Sequence, residues 1–215
     1  MPEISQTLED FKGALALSDY NTIHPSFLKE ILPEKLNHFS SFTNNYLFFK
    51  LQHYLDQKLS LKTITPELCH HPLAFFLTLE PQDCDWLEKT LGALCLSHEI
   101  KRVIIQSDKT ELMNFLGESI YEFVLKQGEL HRPFLPEVNI EPSTASLIEK
   151  ISAAGHFLLE YLWSQQPESL VKYFTIKMNK SISWNFSHEA NSDLQQHLLV
   201  LCKRLLSKKG TQAPC

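Results

Sequence analysis

The chain has 215 residues, of which 43% are hydrophobic and 21% charged, so it is long enough to bury a substantial core as one large domain. Its six glycines are few for this length, which favours helices over turn-rich sheets. A net charge of −5 and a pI near 6.1 provide no general attraction to nucleic acid, so neither DNA nor RNA is an expected partner.

Cysteine usage and the absence of long apolar runs indicate where the protein works. The chain has five cysteines, an odd number, with no CxxC pair. This pattern argues against a disulfide framework or a Cys-rich zinc site and favours a reducing cytoplasm. The first ten residues carry three acids and no basic segment, and no apolar run approaches the roughly 18 residues that span a bilayer. We therefore expect a cytoplasmic protein that meets a membrane only through partners or peripherally.

In the N-terminal third, the sequence pattern predicts short helical pieces broken by prolines, followed by one longer helix. Residues 44–59 place their leucines and aromatic residues on one helical face. The apolar segment Leu73–Leu79, which lies between Pro72 and Pro81, fits either a short buried helix or a strand. The length of the segment alone does not distinguish these two structures.

The central part of the chain is more regular. A helical stripe begins at Trp86 and breaks near Ser97. Asp108 and Glu111 have the spacing of a capping box, which predicts the start of a helix there. Its apolar positions continue past residue 120 to Lys126, and Gly128 is the predicted stop.

The Pro-rich stretch 131–142 has no helical period and predicts a surface crossing, where a subdomain boundary can lie. Ser143 or Thr144 is the expected cap of a second long helix. The small residues 153–155 in the middle of that helix either let another helix approach closely or fill a gap in the core.

Two further helices are predicted towards the C-terminus. Pro167 should start a short helix over Glu168–Met178, and the segment Ser181–Phe186 alternates enough to be a brief strand or an extended arm. The last helix covers about Ser192–Lys208. The expected fold is therefore mainly α: a single compact, irregular multi-helix domain over residues 1–215 that can include one or two short strands.

No motif in the sequence predicts a catalytic, metal or cofactor site. Cys69, His70 and His71 form the most metal-like cluster, but adjacent histidines diverge on a helix or strand and cannot both face one ion. The other histidines lack the HExxH spacing, and the isolated glycines form no phosphate-binding loop. A Cys/His nucleophilic pair stays open as an alternative, because catalytic partners converge in space and not in sequence.

Two basic clusters are the candidate partner-binding residues. Lys101 and Arg102 lie beside an apolar stretch, and four cations follow one another closely near the end of the last helix: Lys203, Arg204, Lys208 and Lys209. Both clusters can simply be solvated surfaces. The functional alternative is contact with an acidic protein surface or, for the C-terminal cluster, with anionic lipid headgroups.

The stretch from Trp86 to Met178 resembles the SctK/YscK/OrgA family of type III secretion accessory proteins. The segment LEKTLGALCLSHEIKRVIIQSDKTELMNFLGESIYEFVLKQGEL is similar to the central pattern of that family: a helix containing Leu-Gly, a short basic element and a helix that ends before a Pro-rich crossing. The segment QPESLVKYFTIKMNK, at the end of this stretch, fits the order of elements in the family. The resemblance covers somewhat under half of the chain.

This resemblance implies a mainly helical cytoplasmic protein of the type III secretion sorting platform. Such a protein is a non-enzymatic adaptor that links the inner-membrane ring protein SctD to the pod component SctQ, and it is peripheral to the inner membrane through these partners. Two other classes remain open: a helical chaperone-like binder of secreted proteins, and an enzyme with a Cys or His nucleophile.

Overall fold

The computed structural model describes residues 70–136, 138, 145–178, 186 and 191–209. The predicted helix over residues 44–59 and most of the predicted strand or arm 181–186 lie outside this part. The described residues fall into two compact units. The first contains 70–84 and 166–178, and the second contains the rest. The described residues of the Pro-rich stretch 131–142, and those on either side of it, belong to the second unit.

The described part of the chain is helical and contains no strand, which confirms the mainly α prediction for these residues. A 3-10 helix comes first, Ala74–Thr78, and a one-turn 3-10 helix lies at Arg132–Phe134, between the fourth and fifth α-helices. The α-helices, in chain order, are α1 Pro81–Cys95, α2 Ser97–Lys101, α3 Gln106–Leu116, α4 Glu118–His131, α5 Leu147–Trp163, α6 Glu168–Thr175 and α7 Ser192–Lys209.

In the first unit the 3-10 helix packs against α6. The rings of Phe76 and Phe174 meet edge to face, with centroids 5.9 Å apart and an interplanar angle of 88°. Both side chains are fully buried. Of the two structures predicted for Leu73–Leu79, the short buried helix is therefore correct. The helix α6 begins after Pro167 as predicted, but it ends at Thr175 and not at Met178.

In the second unit α1 and α5 cross at very close range, and two glycines make this possible. A Cβ atom on Gly92 would collide with the carbonyl oxygen of Ile151, and one on Gly155 would collide with the carbonyl oxygen of Glu88. Backbone therefore packs on backbone at this crossing. Of the two explanations for the small residues 153–155, close helix approach is the one that the structure supports.

The single helix predicted from Asp108 to Lys126 is wrong, because the chain breaks at Gly117. This glycine has φ of +80°, a backbone conformation that residues with a side chain rarely adopt, and it separates α3 from α4. The predicted capping box is also wrong. The helix α3 already begins at Gln106, and the Asp108 carboxylate accepts a hydrogen bond from the Ser107 hydroxyl at 3.0 Å.

Gly128 does not stop α4, contrary to the prediction. It lies inside the helix, buried against the side chain of Ser97 at the start of α2. A larger side chain would collide with Ser97, so this glycine serves helix packing, and α4 continues to His131. The break predicted near Ser97 is confirmed, since α1 ends at Cys95.

The long helix α5 is confirmed, but its cap is Ser146 and not Ser143 or Thr144. The Ser146 hydroxyl accepts a hydrogen bond from the backbone N–H of Glu149, and the Glu149 carboxylate accepts one from the backbone N–H of Ser146 at 2.8 Å. The Glu149 carboxylate also accepts a hydrogen bond from the Ser146 hydroxyl, and the two bonds that it accepts from Ser146 lower the pKa of the Glu149 carboxyl.

The last helix, α7, is confirmed within one residue and is fastened to α5 at its start. The hydroxyl of Tyr161 accepts a hydrogen bond from the backbone N–H of Asn191 at 2.6 Å. The amide of Gln195 donates to the carbonyl oxygens of Tyr161 at 3.0 Å and of Ser164 at 2.9 Å. All leucines of α7 except Leu194 are buried, so its cations are left on the outer face. Among the helices described, none has the length and apolar character needed to cross a membrane.

Candidate functional site

The four predicted cations near the end of α7 are all exposed. From Leu194 to Lys209 the helix contains no acidic residue. Its outer face is therefore positive in a chain whose net charge is −5. An isolated positive face on an acidic protein is suited to a partner of opposite charge.

The helices α4 and α7 run antiparallel along this face, and aromatic rings of α4 and its following turn contact α7 at both ends. At one end the ammonium group of Lys208 lies 5.0 Å from the centre of the Phe123 ring and 3.2 Å from the side-chain oxygen of Gln127. At the other end Phe134 stacks on His197, with centroids 4.8 Å apart and an interplanar angle of 27°. These contacts hold one cation and one imidazole in place.

His131 lies between these two ends. Its ring is 6.2 Å from that of Phe123. Burial lowers the pKa of His131, and the positive charges of Arg204 and Lys208, together with His197, lower it further. The permanent cations Arg204 and Lys208 of α7 thus form a positive region that lies near His131 of α4.

Exposed apolar side chains accompany this positive region. Leu130 is 68% exposed, Phe134 54% and Val200 48%. Val200 is three residues after His197 and four before Arg204, so it shares their face of α7. We call this surface the α4/α7 strip; it consists of Phe123, Leu130, His131, Phe134, His197, Val200, Arg204 and Lys208.

The other predicted cations are placed differently. The ammonium group of Lys209 lies 5.2 Å from the centre of the Trp86 ring, on α1. Lys101 forms an ion pair with Glu129 at 3.6 Å, so its charge is partly compensated, and Arg102 is exposed at the end of α2. Of the six predicted residues, Arg204 and Lys208 therefore join the strip, and the contacts of Lys101 lie elsewhere.

A buried polar cluster joins α1 and α5. His156 lies between two carboxylates, with Nε2 3.3 Å from Oε1 of Glu160 and Nδ1 3.7 Å from Oε1 of Glu88. The three side chains are between 9% and 14% exposed. When protonated, the imidazolium compensates both carboxylates, which would otherwise be costly to bury. The position of the cluster beside the glycine crossing gives it a role in packing.

A depression of about 530 Å³ is lined in part by Cys95, one of the five cysteines left open for the alternative of a Cys nucleophile. Its wall includes Glu99, Glu129 and Arg132. Burial raises the pKa of the Cys95 thiol despite the opposing charge of Arg132. Burial also raises the pKa of Cys202, in the core under α7. A raised thiol pKa reduces the thiolate fraction that a nucleophile or a metal ligand needs.

The metal-like sequence around residue 70 is used for local structure. The Nδ1 atom of His71 accepts a hydrogen bond from the backbone N–H of Leu73 at 3.2 Å, and burial lowers the pKa of this imidazole. His70 is exposed, and Cys69 lies outside the described residues. Within the described part of the chain, no three His, Cys, Asp or Glu side chains are grouped so that they could hold a metal ion.

Sequence reasoning missed the part of the strip that α4 and the following turn contribute. The apolar residues Leu130 and Phe134, on either side of His131 where the Pro-rich stretch begins, were the available signal. Nothing in the sequence aligns them with His197 or Lys208, because that alignment depends on how α4 and α7 lie against each other. No family model, curated protein or solved structure matches the chain.

Proposed function

We propose that this protein is a non-enzymatic adaptor of the type III secretion sorting platform, in which it links the SctD-like inner-membrane ring protein to the SctQ-like pod component. The α4/α7 strip is the observation that carries the adaptor role. It combines exposed apolar side chains with Arg204 and Lys208, and arginine and aromatic residues are enriched where proteins bind each other.

The resemblance of residues 86–178 to the SctK/YscK/OrgA family supports the choice of machine. Two features of this stretch suit a rigid body that holds partners at fixed positions. The helix that contains Leu-Gly, α1, contributes Gly92 to its tight crossing with α5. The helix α5 contributes Gly155 to the same crossing. A helix pair packed backbone to backbone resists deformation when a partner binds. Under this proposal the protein is cytoplasmic and is held at the inner membrane by its partners.

Co-expression with tagged partners tests the proposal. The protein is expected to co-purify with the cytoplasmic domain of the SctD homologue and, separately, with the SctQ homologue of the same secretion system. A matched control is an unrelated acidic helical protein carrying the same tag. Failure to retain either partner at low salt would refute the adaptor role.

A chaperone-like binder of secreted proteins is the second candidate. Ile104 and Ile105, between α2 and α3, favour it, because they are 85% and 63% exposed and lie next to Arg102. Such a surface can capture an apolar client segment. Selective binding of unfolded secreted substrates, with no retention of folded SctQ, would support this candidate over the adaptor.

A further inference from the structure

We propose that the α4/α7 strip binds an acidic amphipathic helix of a partner protein, laid along α4 and α7. This inference rests on the proposed adaptor function and specifies the chemistry of one of its contacts. The occupant presents apolar side chains to Leu130, Phe134 and Val200, and carboxylates to Arg204 and Lys208.

Charge complementarity is the first argument for an acidic occupant. The strip carries two permanent cations and two imidazoles, His131 and His197, and α7 offers no acid after Asp193. Of the three exposed carboxylates on α4, Glu122 and Glu129 have partners of their own, and Glu118 lies in the first turn of the helix. Glu122 pairs with Lys126 at 2.7 Å, and Glu129 pairs with Lys101 at 3.6 Å. Within the described part of the chain neither Arg204 nor Lys208 forms an ion pair with a carboxylate, so an external acid would balance their charge.

The dimensions of the strip are the argument for a helix. From His197 to Lys208 the α7 face extends over eleven residue steps, which corresponds to roughly 16 Å at the α-helical rise of 1.5 Å per residue. This length matches about three turns of a helix placed alongside. The described residues include no strand, so they provide no sheet edge to which an extended segment could add.

The aromatic groups of the strip are held in place before any partner arrives. Phe134 is stacked on His197, and Lys208 is positioned by Phe123 and Gln127. A fixed surface loses little side-chain entropy on binding, which favours recognition of a defined helix. Phe134 lies flat against its neighbour instead of projecting, so its geometry fits a protein partner better than insertion into a lipid bilayer.

A fluorescence anisotropy titration of the full-length protein tests the proposal. The probe is a fluorescein-labelled synthetic helix of about 14 residues in which a stripe of leucines is bordered along one side by glutamates. A peptide of the same composition in scrambled order is the control. We expect the amphipathic probe to bind more tightly than the scrambled peptide, and its binding to weaken when salt is raised from about 50 to about 300 mM.

Matched charge reversals locate the contact. Arg204→Glu is expected to weaken binding of the probe by about tenfold or more, whereas Lys109→Glu, which makes the same change of charge on α3, leaves it within about twofold. Phe134→Ala should also weaken binding, and it retains the net charge. Both Arg204 and Lys109 are on α-helices, where glutamate is well accommodated.

Three results would overturn the proposal. The first is equal weakening by Arg204→Glu and Lys109→Glu, which would show an effect of net charge alone. The second is no preference for the amphipathic over the scrambled peptide. The third is tighter binding to vesicles containing anionic phosphatidylglycerol, or to a DNA duplex, than to the probe. Probe binding without retention of SctD or SctQ homologues would leave the strip assignment standing and refute only the secretion role.

Discussion

The ammonium group of Lys208 lies 5.0 Å from the centre of the Phe123 ring, so the last turn of α7 is held against the first half of α4. A cation over an aromatic face at an exposed position contributes about 0.5 to 1 kcal/mol. A double-mutant cycle of Phe123→Leu and Lys208→Gln should therefore give a coupling of about 0.5 kcal/mol in the free energy of unfolding, measured by urea denaturation. Fully additive effects would show that the ring and the ammonium group do not interact.

The second prediction concerns Lys177, a lysine that is buried in the first unit. Its ammonium group donates a hydrogen bond to the carbonyl oxygen of Leu79 at 2.6 Å. Burial lowers the pKa of Lys177 to about 8, although Cys84, Glu80 and Asp83 oppose this change. The difference from the ordinary value of 10.5 corresponds to a cost of about 3 kcal/mol for keeping the folded-state charge.

The sign of the resulting pH dependence follows from this lowered pKa. Between pH 10.5 and about 8 the unfolded chain is protonated at Lys177 and the folded chain is not, so stability falls as the pH falls through this window. Below about pH 8 the penalty is complete and constant. Lys177→Met should raise the free energy of unfolding at pH 7 by about 1 to 2 kcal/mol. It should also remove this component of the pH dependence in denaturation curves at pH 7 and pH 10. Lower stability of the variant at pH 7 would mean that the hydrogen bond to Leu79 outweighs the cost of burial.

The glycine crossing of α1 and α5 provides the third prediction. Gly155→Ala places a methyl group against the backbone of Glu88, where no flexible side chain can move away. The variant should lose about 3 kcal/mol of stability or fail to fold. Ala153→Ser, on the exposed side of the same helix, is the matched control and should change stability by less than about 0.5 kcal/mol. Thermal unfolding followed by circular dichroism measures the stability of both variants. A melting temperature of Gly155→Ala equal to that of Ala153→Ser would contradict the close crossing.

His131 gives the fourth prediction, which concerns pH and the strip. Its pKa is lowered by burial and by Arg204, Lys208 and His197. As the pH falls through the unfolded-state value of about 6.5, the unfolded chain gains a proton that the folded chain still resists, so stability is lost. His131→Gln should remove this part of the loss, and the variant should therefore gain stability relative to the natural protein as the pH falls from about 8 to about 5.5.

Urea denaturation of both proteins at the two pH values measures this difference. An acidic partner on the strip would favour the protonated imidazole, so its presence should raise the pKa of His131, as followed by NMR of the ring protons. A stability difference that is the same at both pH values would show that neither burial nor the neighbouring cations lower the pKa of His131.

The sequence predicted the helices most reliably where a continuous apolar face coincided with a clear end. The start of α6 after Pro167 and the extent of α7 are examples. It failed where a residue has two structural uses. Gly117 and Gly128 are both plausible helix stops, yet only Gly117 adopts a positive φ, while Gly128 accommodates Ser97 from another helix. This second use depends on tertiary packing, which no local pattern encodes.

The candidate surface shows the same limit. The cations Arg204 and Lys208 were predicted from their clustering along the chain. Their aromatic and imidazole neighbours were not, because Phe123 and Phe134 are far from them in sequence and only the antiparallel arrangement of α4 and α7 joins them. A charge cluster predicts that a surface is basic, and the packing of two helices determines what accompanies the charge.

The central claim is that this protein joins two partners at the same time. Size-exclusion chromatography with light scattering should be carried out on the purified full-length chain mixed with the cytoplasmic domain of the SctD homologue and with the SctQ homologue. The adaptor account predicts one peak whose mass requires all three proteins, and this peak should be lost when the chain is omitted. Two separate binary peaks, or a mixture in which neither partner changes its elution, would contradict it.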